Sequence, residues 1–153
     1  MNFWNGLTAK SMRVEFASVT VSFFIHATED SERLLSIVSE ELGVAREELQ
    51  TENIVGHYGN AIVSVKAHII GRGAQGVATL ILRSLSEGAK KQVLLELEKS
   101  MDEHDALYLR IDRQSIDREL VISDEEPIRV KLKPKFRAGG RASMREGYEE
   151  MIR

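Results

Sequence analysis

Residues 15–27 read EFASVTVSFFIHA, and the fold class follows from how that stretch alternates. It is rich in β-branched and aromatic residues, and its side chains sort into two sets with a period of two. Ala17, Val19, Val21, Phe23 and Ile25 form one set; Ser18, Thr20, Ser22, Phe24 and His26 form the other. Successive side chains of a strand point to opposite faces, so this is a strand with one apolar face and one largely polar face. Such a strand belongs to a sheet that is covered on one side and open on the other.

The neighbouring segments extend that pattern. TEDSERLLSIVSEELG, residues 28–43, offers Thr28 or Asp30 as an N-cap, acids in the first turn, Leu34, Leu35, Val38 and Leu42 at helical spacing, and Gly43 as the stop. VAREELQ adds a short turn. ENIVGHYGNAIVSVKAHII, residues 52–70, reads as a hairpin with its tight turn around His57 to Asn60, where Gly59 and Asn60 are expected at positive φ. In its second strand Ala61, Val63, Val65, Ala67 and Ile69 alternate with Ser64, Lys66 and His68. Residues 75–104 carry two apolar runs at helical spacing with Gly88 between them, which predicts two helices or one broken helix. DALYLRIDRQ, residues 105–114, puts Leu107, Leu109 and Ile111 inward and Tyr108, Arg110 and Asp112 outward. A short ELVIS segment and IRVKLKPKF complete the strands. The order strand, helix, hairpin, helices, strands describes an α+β fold: one mixed or antiparallel sheet with helices packed on one face. Residues 1–153 read as a single domain, compact over about 13–137, with 138–153 a basic hinge at Gly139 and Gly140 followed by a C-terminal helix from Ser143.

IRVKLKPKFR, residues 128–137, places Arg129, Lys131, Lys133, Lys135 and Arg137 at every second position with no acid among them. Strand geometry would bring all five to one face, with Ile128, Val130, Leu132 and Phe136 on the other. Pro127 opens the strand, and Pro134 restricts its pairing there to an edge or an end. From Pro127 onward there are eight Lys or Arg against three Glu, so with a net charge of -3 overall, residues 1–126 carry -8. A basic C-terminal part on an acidic chain points to a polyanionic partner. The row has two readings. As a ridge it displaces counterions from nucleic-acid phosphates, with Tyr108 or Phe24 stacking on an unpaired base. As a guard it keeps an edge strand from pairing with another sheet.

Other features narrow the function. The absence of Cys removes disulfides, thiolate chemistry and cysteine zinc sites, and suits a reducing compartment. MNFWNGLTAK lacks the basic and apolar regions of a signal peptide, and no apolar run reaches membrane-spanning length, so the expected location is cytoplasmic. GRGAQG, residues 71–76, matches a dinucleotide fingerprint only superficially and reads as a loop before a helix. DEHD, residues 102–105, reads as a solvated turn rather than a metal cluster. No catalytic constellation and no cofactor site are expected; a nuclease built on His104, Asp105 or Asp112 lacks a matched base or metal set.

Three segments share one likeness. GHYGNAI resembles a G-H-aromatic-G-N-P-I turn, YLRIDRQ an aromatic-L-R-x-D-basic-Q strand, and EEPIRVKLK a closing D-P-I-x-V-x-hydrophobic-K strand. In that order and spacing, over residues 15 to about 135, the chain is similar to a small archaeal family described as predicted RNA-binding proteins and exosome subunits. Its fold is similar to that of the ribosomal protein that binds 5S ribosomal RNA. Ala61 stands where the family usually has Pro, and Ser115 to Glu119 lack a Gly common there. The resemblance implies that His57, Tyr58, Gly59 and Asn60 form a functional or fold-defining turn and that Arg110 and Gln114 join an RNA face.

Together these readings describe a non-enzymatic module for structured RNA. Arg129, Lys131, Lys133, Lys135 and Arg137 track phosphates, and Lys66, Arg110, Tyr108, His57, Tyr58 and Asn60 add contacts. Exosome or other RNA-processing proteins are further partners under this reading, and no membrane is. The alternative is a protein-interaction or homodimerisation module that uses the sheet edge.

Overall fold

The computed structural model describes residues 14–153; the MNFWNGLTAK stretch lies outside them. Five strands form one antiparallel sheet: β1 (Phe16–His26), β2 (Gln50–Val55), β3 (Ala61–Ile70), β4 (Leu107–Ile111) and β5 (Ile128–Pro134), in the spatial order β2-β3-β1-β5-β4. Among the described residues five α-helices accompany it: α1 (Ser31–Leu42), α2 (Gly71–Ser84), α3 (Glu87–Leu95), α4 (Leu97–Ser100) and α5 (Gly140–Ile152). The alternation of β1 sets the two layers. Val19, Val21, Phe23 and Ile25 are buried with Val65, Ala67, Val130 and Leu132 of its partners, against Leu35, Val38, Ile81, Leu82 and Tyr148 from the helices. Each such side chain contributes roughly 1.5–3 kcal/mol by leaving water, so a one-residue slip of register, which would bury the polar set instead, is strongly disfavoured.

Local chemistry bounds α1 where the sequence suggests, whereas α5 begins at Gly140, ahead of the expected Ser143. Asp30 caps α1 by accepting from the Arg33 amide at 3.2 Å, and Gly43 closes it in the left-handed conformation. VAREELQ supplies a 3-10 turn, Arg46–Glu48. The break in the 75–104 region falls at Leu85 rather than at Gly88. Leu85 leaves the helix in an extended conformation, forms a parallel bridge with Leu120, and hands over to Ser86, whose hydroxyl accepts from the Ala89 amide at 3.1 Å. Gly88 lies inside α3, and a further break at Glu96 separates α4. ELVIS makes isolated bridges, Leu120 to Leu85 and Ile122 to Ile111, in place of a strand. GRGAQG is not a loop but the first turns of α2.

The start of β1 departs from simple alternation. Between Phe16 and Ser18, β1 has one residue more than β5, so a bulge at Ala17 reverses the parity. Phe16 is buried in place of Ala17, which is half-buried. β3 has ended at this level, since Ile70 pairs with Ser18. The Gln75 amide of α2 continues the pairing: its Oε1 accepts from the Phe16 N–H at 2.8 Å and its Nε2 donates to the Val14 carbonyl at 3.1 Å. On the other side the Lys135 amide donates to the Glu15 carbonyl at 2.8 Å.

β5 is an interior strand, hydrogen-bonded to β1 and β4. Edge protection therefore does not account for Arg129 and Lys131, which have a neighbouring strand on each side. Pro134 is tolerated because β4 stops opposite Leu132, so the proline sits at the strand's end.

Replacing Gln75 with Ala is expected to cost about 1–3 kcal/mol, because the buried Phe16 amide loses its acceptor. A urea unfolding midpoint for Gln75→Ala compared with the parent measures this, and an unchanged midpoint would show that the amide bridge contributes nothing.

Candidate nucleic-acid interface

The register of the sheet maps its open face residue by residue. One row across the strands runs Ile70, Ser18, Lys133; the next runs His68, Thr20, Lys131, Tyr108; the third runs Gln50, Lys66, Ser22, Arg129, Arg110. Five cations thus occupy three adjacent rows. Arg129 and Lys131 are spaced as i and i+2, about 7 Å apart along the strand, and Lys66 lies two strands from Arg129, roughly 10 Å away. Among the described residues Lys66, Arg129, Lys131 and Lys133 form no ion pair, whereas Arg110 is held by Asp124 at 2.9 Å. Arg110 stands directly opposite Arg129, an arrangement of like charges that destabilises a sheet in the absence of an anion.

The expected row of five cations is shorter than the sequence suggests. Alternation stops with the strand at Pro134, so Lys135 follows in an irregular segment and Phe136 is 97% exposed instead of facing the core. Arg137 turns toward α5, where its Nε donates to the Ser143 hydroxyl at 2.9 Å.

Tyr108 closes one side of the band. Its hydroxyl donates to Asp102 Oδ2 at 3.1 Å, and Lys131 Nζ lies 5.6 Å from the ring centroid, within cation–π range. The other oxygen of Asp102 accepts from the amides of His104 and Ala106, each at 2.9 Å. Burial tends to raise the Asp102 carboxyl, but the Ala106 and His104 amides, the Tyr108 hydroxyl and the Lys131 charge outweigh it and hold the pKa below the usual range. α5 in turn secures this segment. Arg141 donates to Asp105 Oδ1 at 3.1 Å and to the Asp102 and Met101 carbonyls at 2.7 and 3.2 Å, and it pairs with Glu98 at 2.7 Å. The buried Tyr148 hydroxyl donates to the Asp105 carbonyl at 2.6 Å, and burial raises its pKa beyond the ordinary phenol range.

The GHYGN turn lies at the other end of the sheet. Asn60 is six residues along β3 from Lys66, about 20 Å in an extended strand, so the turn does not converge with the band. Gly59 alone of the expected pair has positive φ, at 78°; Asn60 instead lays its side chain over Gly56, where a Cβ would come within 2.5 Å of Oδ1. The His57 and Tyr58 rings meet edge to face, centroids 4.9 Å apart, and Tyr58 is 91% exposed. Gln114 also lies off the sheet, in the turn after β4.

The sequence reading missed the acids that organise the face. Asp102 belongs to DEHD, where an Asp followed by backbone donors two and four residues on is the available signal of a local Asx-type turn. Asp124 gave no signal, because its partner Arg110 is on a different strand segment. Asp105 and Asp112, weighed as catalytic acids, are engaged by Arg141 and by the Ser115 hydroxyl and amide. No group of three or more His, Asp or Glu among the described residues is placed to hold a metal ion. No helix among them is long and apolar enough to cross a membrane.

Because the Asp102 pKa is lowered on folding, its contribution to stability is present above the ordinary carboxylate value of about 3.9 and is lost as pH falls through the lower folded value. Asp102→Asn is therefore expected to be less stable than the parent at pH 7, with the gap closing as the pH falls below about 4. Urea midpoints at pH 7 and pH 3 measure the gap, and an equal difference at both would exclude the ionised carboxylate as its source.

Known proteins resemble this chain in sequence and in fold. The chain is 28% identical over 130 residues, 80% of its length and 84% of the relative's, to the RNA-binding protein PAB1135 of Pyrococcus abyssi. Its fold matches that of Mth689, a DUF54 protein from Methanothermobacter thermautotrophicus, with a TM-score of 0.71 and 20% identity, covering 90% of this chain and 98% of that one. Protein AF2318 from Archaeglobus fulgidus superposes with a TM-score of 0.68 at 27% identity, covering 90% and 99% of the two chains. The family model described as RNA binding matches residues 18–134, which contain all five strands but for the first two residues of β1, and the chain belongs to that RNA-binding family.

Proposed function

We propose that the protein binds structured RNA through the open face of its sheet, with Arg129, Lys131, Lys133, Lys66 and Arg110 neutralising phosphates. The observation that carries this is the three-row band of cations on a solvent-facing sheet, with Arg129, Lys131 and Lys66 on strands that have a neighbour on each side, where edge protection gives no reason for them. A like-charged band costs folding energy unless an anion shares it. Tyr108, anchored by Asp102 and 45% exposed, offers a ring beside the phosphates. Lys135 and Arg137 extend the positive field beyond the strand, and His57, Tyr58 and Asn60 form an outlying contact for an RNA long enough to reach about 20 Å. No catalytic role enters this reading. The likeness of the three motifs to predicted RNA-binding proteins and exosome subunits supports an accessory part in RNA processing beside an exosome, and a sheet akin to that of the 5S-RNA-binding ribosomal protein. Co-purification of exosome components with the tagged protein tests the first of these.

A second reading, dimerisation or protein docking by the sheet edge, draws on β2. That edge strand is exposed on both faces except for a half-buried Ile54. Sedimentation across a concentration series tests it: a stable dimer that buries the basic face would count against that face as the RNA site.

Binding to a pool of structured RNAs is expected to weaken with salt, each neutralised phosphate contributing about 0.7–0.9 to the log-log slope. Changing both Lys131 and Lys133 to Glu is expected to lower the affinity and reduce the slope by about 1.5 without unfolding the protein, since both side chains face solvent. An unchanged slope would remove the band from the mechanism.

A further inference from the structure

The open face continues past the basic band into a depression of about 240 Å³. It is lined by Phe24, 46% exposed near the end of β1, by His26 two residues on, by Ile62 of β3 and by Pro127 before β5. Its rim carries Asp124, Glu126 and Arg129. This volume lies below the range of about 300–1,000 Å³ that suits drug-sized ligands, and fits something as small as a single base. An exposed ring between two apolar walls is a stacking surface, and stacking alone accepts any base.

The rim adds selectivity. A carboxylate accepts hydrogen bonds and donates none, and the Arg129 guanidinium only donates. Glu126 is fixed in place: His26 Nε2 contacts its Oε1 at 2.8 Å, and Arg113 donates to its Oε2 at 3.2 Å. The Arg113 guanidinium is itself anchored on the Phe24 carbonyl and on Glu29 at 3.2 Å, so the loop before β5 is tied to the end of β1. Glu126 holds a φ of 42°, which a non-glycine residue adopts only when its surroundings enforce it. Asp124 gives Oδ1 to Arg110, and no described residue donates to its Oδ2.

We propose that this depression reads an unpaired guanine in the bound RNA, with Phe24 stacking on the base, Asp124 and Glu126 accepting from its N1–H and N2 amino group, and Arg129 donating to its O6 or N7. Guanine alone of the four bases presents two adjacent donors on its Watson–Crick edge. Adenine and cytosine each set a ring-nitrogen lone pair beside their amino group, and uracil flanks its single N–H with two carbonyls. Those lone pairs would face the carboxylates. The proposal rests on the RNA-binding reading: the Lys and Arg band supplies affinity, and the depression supplies base preference, with Arg129 at the junction of the two.

The test uses the full chain and four short single-stranded RNAs that differ only in one central base within a uridine background, followed by fluorescence anisotropy at fixed salt. The guanine oligonucleotide is expected to bind about tenfold more tightly than the adenine, cytosine or all-uridine ones, within the discrimination a good bidentate contact provides. Phe24→Leu, which keeps an apolar side chain, and Asp124→Asn are each expected to shrink that preference at least threefold while salt-dependent binding persists. Circular dichroism confirms that both variants fold. Equal affinity for all four bases with salt dependence intact overturns the guanine site alone. So does a full preference retained in both variants. Failure of all four strands to bind at low salt while the structured RNA pool binds overturns the guanine site alone; failure of the pool as well overturns the proposed function and this site with it.

Discussion

The parity of β1 against its two neighbours is the constraint on which the rest depends. Val21 lies opposite Ala67 on one side and Val130 on the other, and these residues are buried. Burying them forces Thr20 and Ser22 outward and, with them, Lys66, His68, Arg129 and Lys131. The cationic face is thus the obligatory complement of the core: no register that keeps Val19, Val21, Phe23 and Ile25 out of water can place those cations anywhere else. Hydrophobic burial positions the charges, and the charges themselves add repulsion.

The helical layer does more than cover the apolar face. α5 buries Met144, Tyr148 and Ile152, while its Arg141 grips the backbone of the segment that carries Asp102. Asp102 then orients Tyr108 at the edge of the open face. A residue near the C-terminus therefore shapes the solvent-facing side of the sheet through one loop. At the other end of the sheet, Arg113 and His26 do the same for Glu126. Both ends of the open face are framed by short acid-bearing loops, while its centre is basic.

Much of this was legible in the residues. The α+β class, the hairpin, an N-cap at Thr28 or Asp30, the stop at Gly43 and the outward placement of Phe24, Tyr108 and Arg110 all follow from period-two or helical spacing with standard capping chemistry, and the structure selects Asp30. Three of the expectations that failed show the reasons most plainly. The bulge at Ala17 brought Phe16 inside, because a single unpaired residue reverses parity and leaves no local trace. The break after α2 came at Leu85, because pairing with Leu120 drew that residue into an extended conformation, whereas Gly88 could remain helical. The basic row ended at Pro134, because alternation orders side chains only while the chain remains a strand.

Within each regular stretch of strand the sequence by itself determined which side chains share a face, since that depends on a backbone period of two and needs no knowledge of neighbours. It also determined the presence of a basic closing strand. Only the tertiary structure decided that this strand lies inside the sheet, that Lys66 and Arg110 share a row with Arg129, and that Asp124 and Glu126 line one depression with Phe24. Strand order is set by long-range backbone hydrogen bonds, which are nearly the same for every residue type. Loop placement is set by contacts between residues up to 100 positions apart, as between His26 and Glu126. Local pattern carries neither.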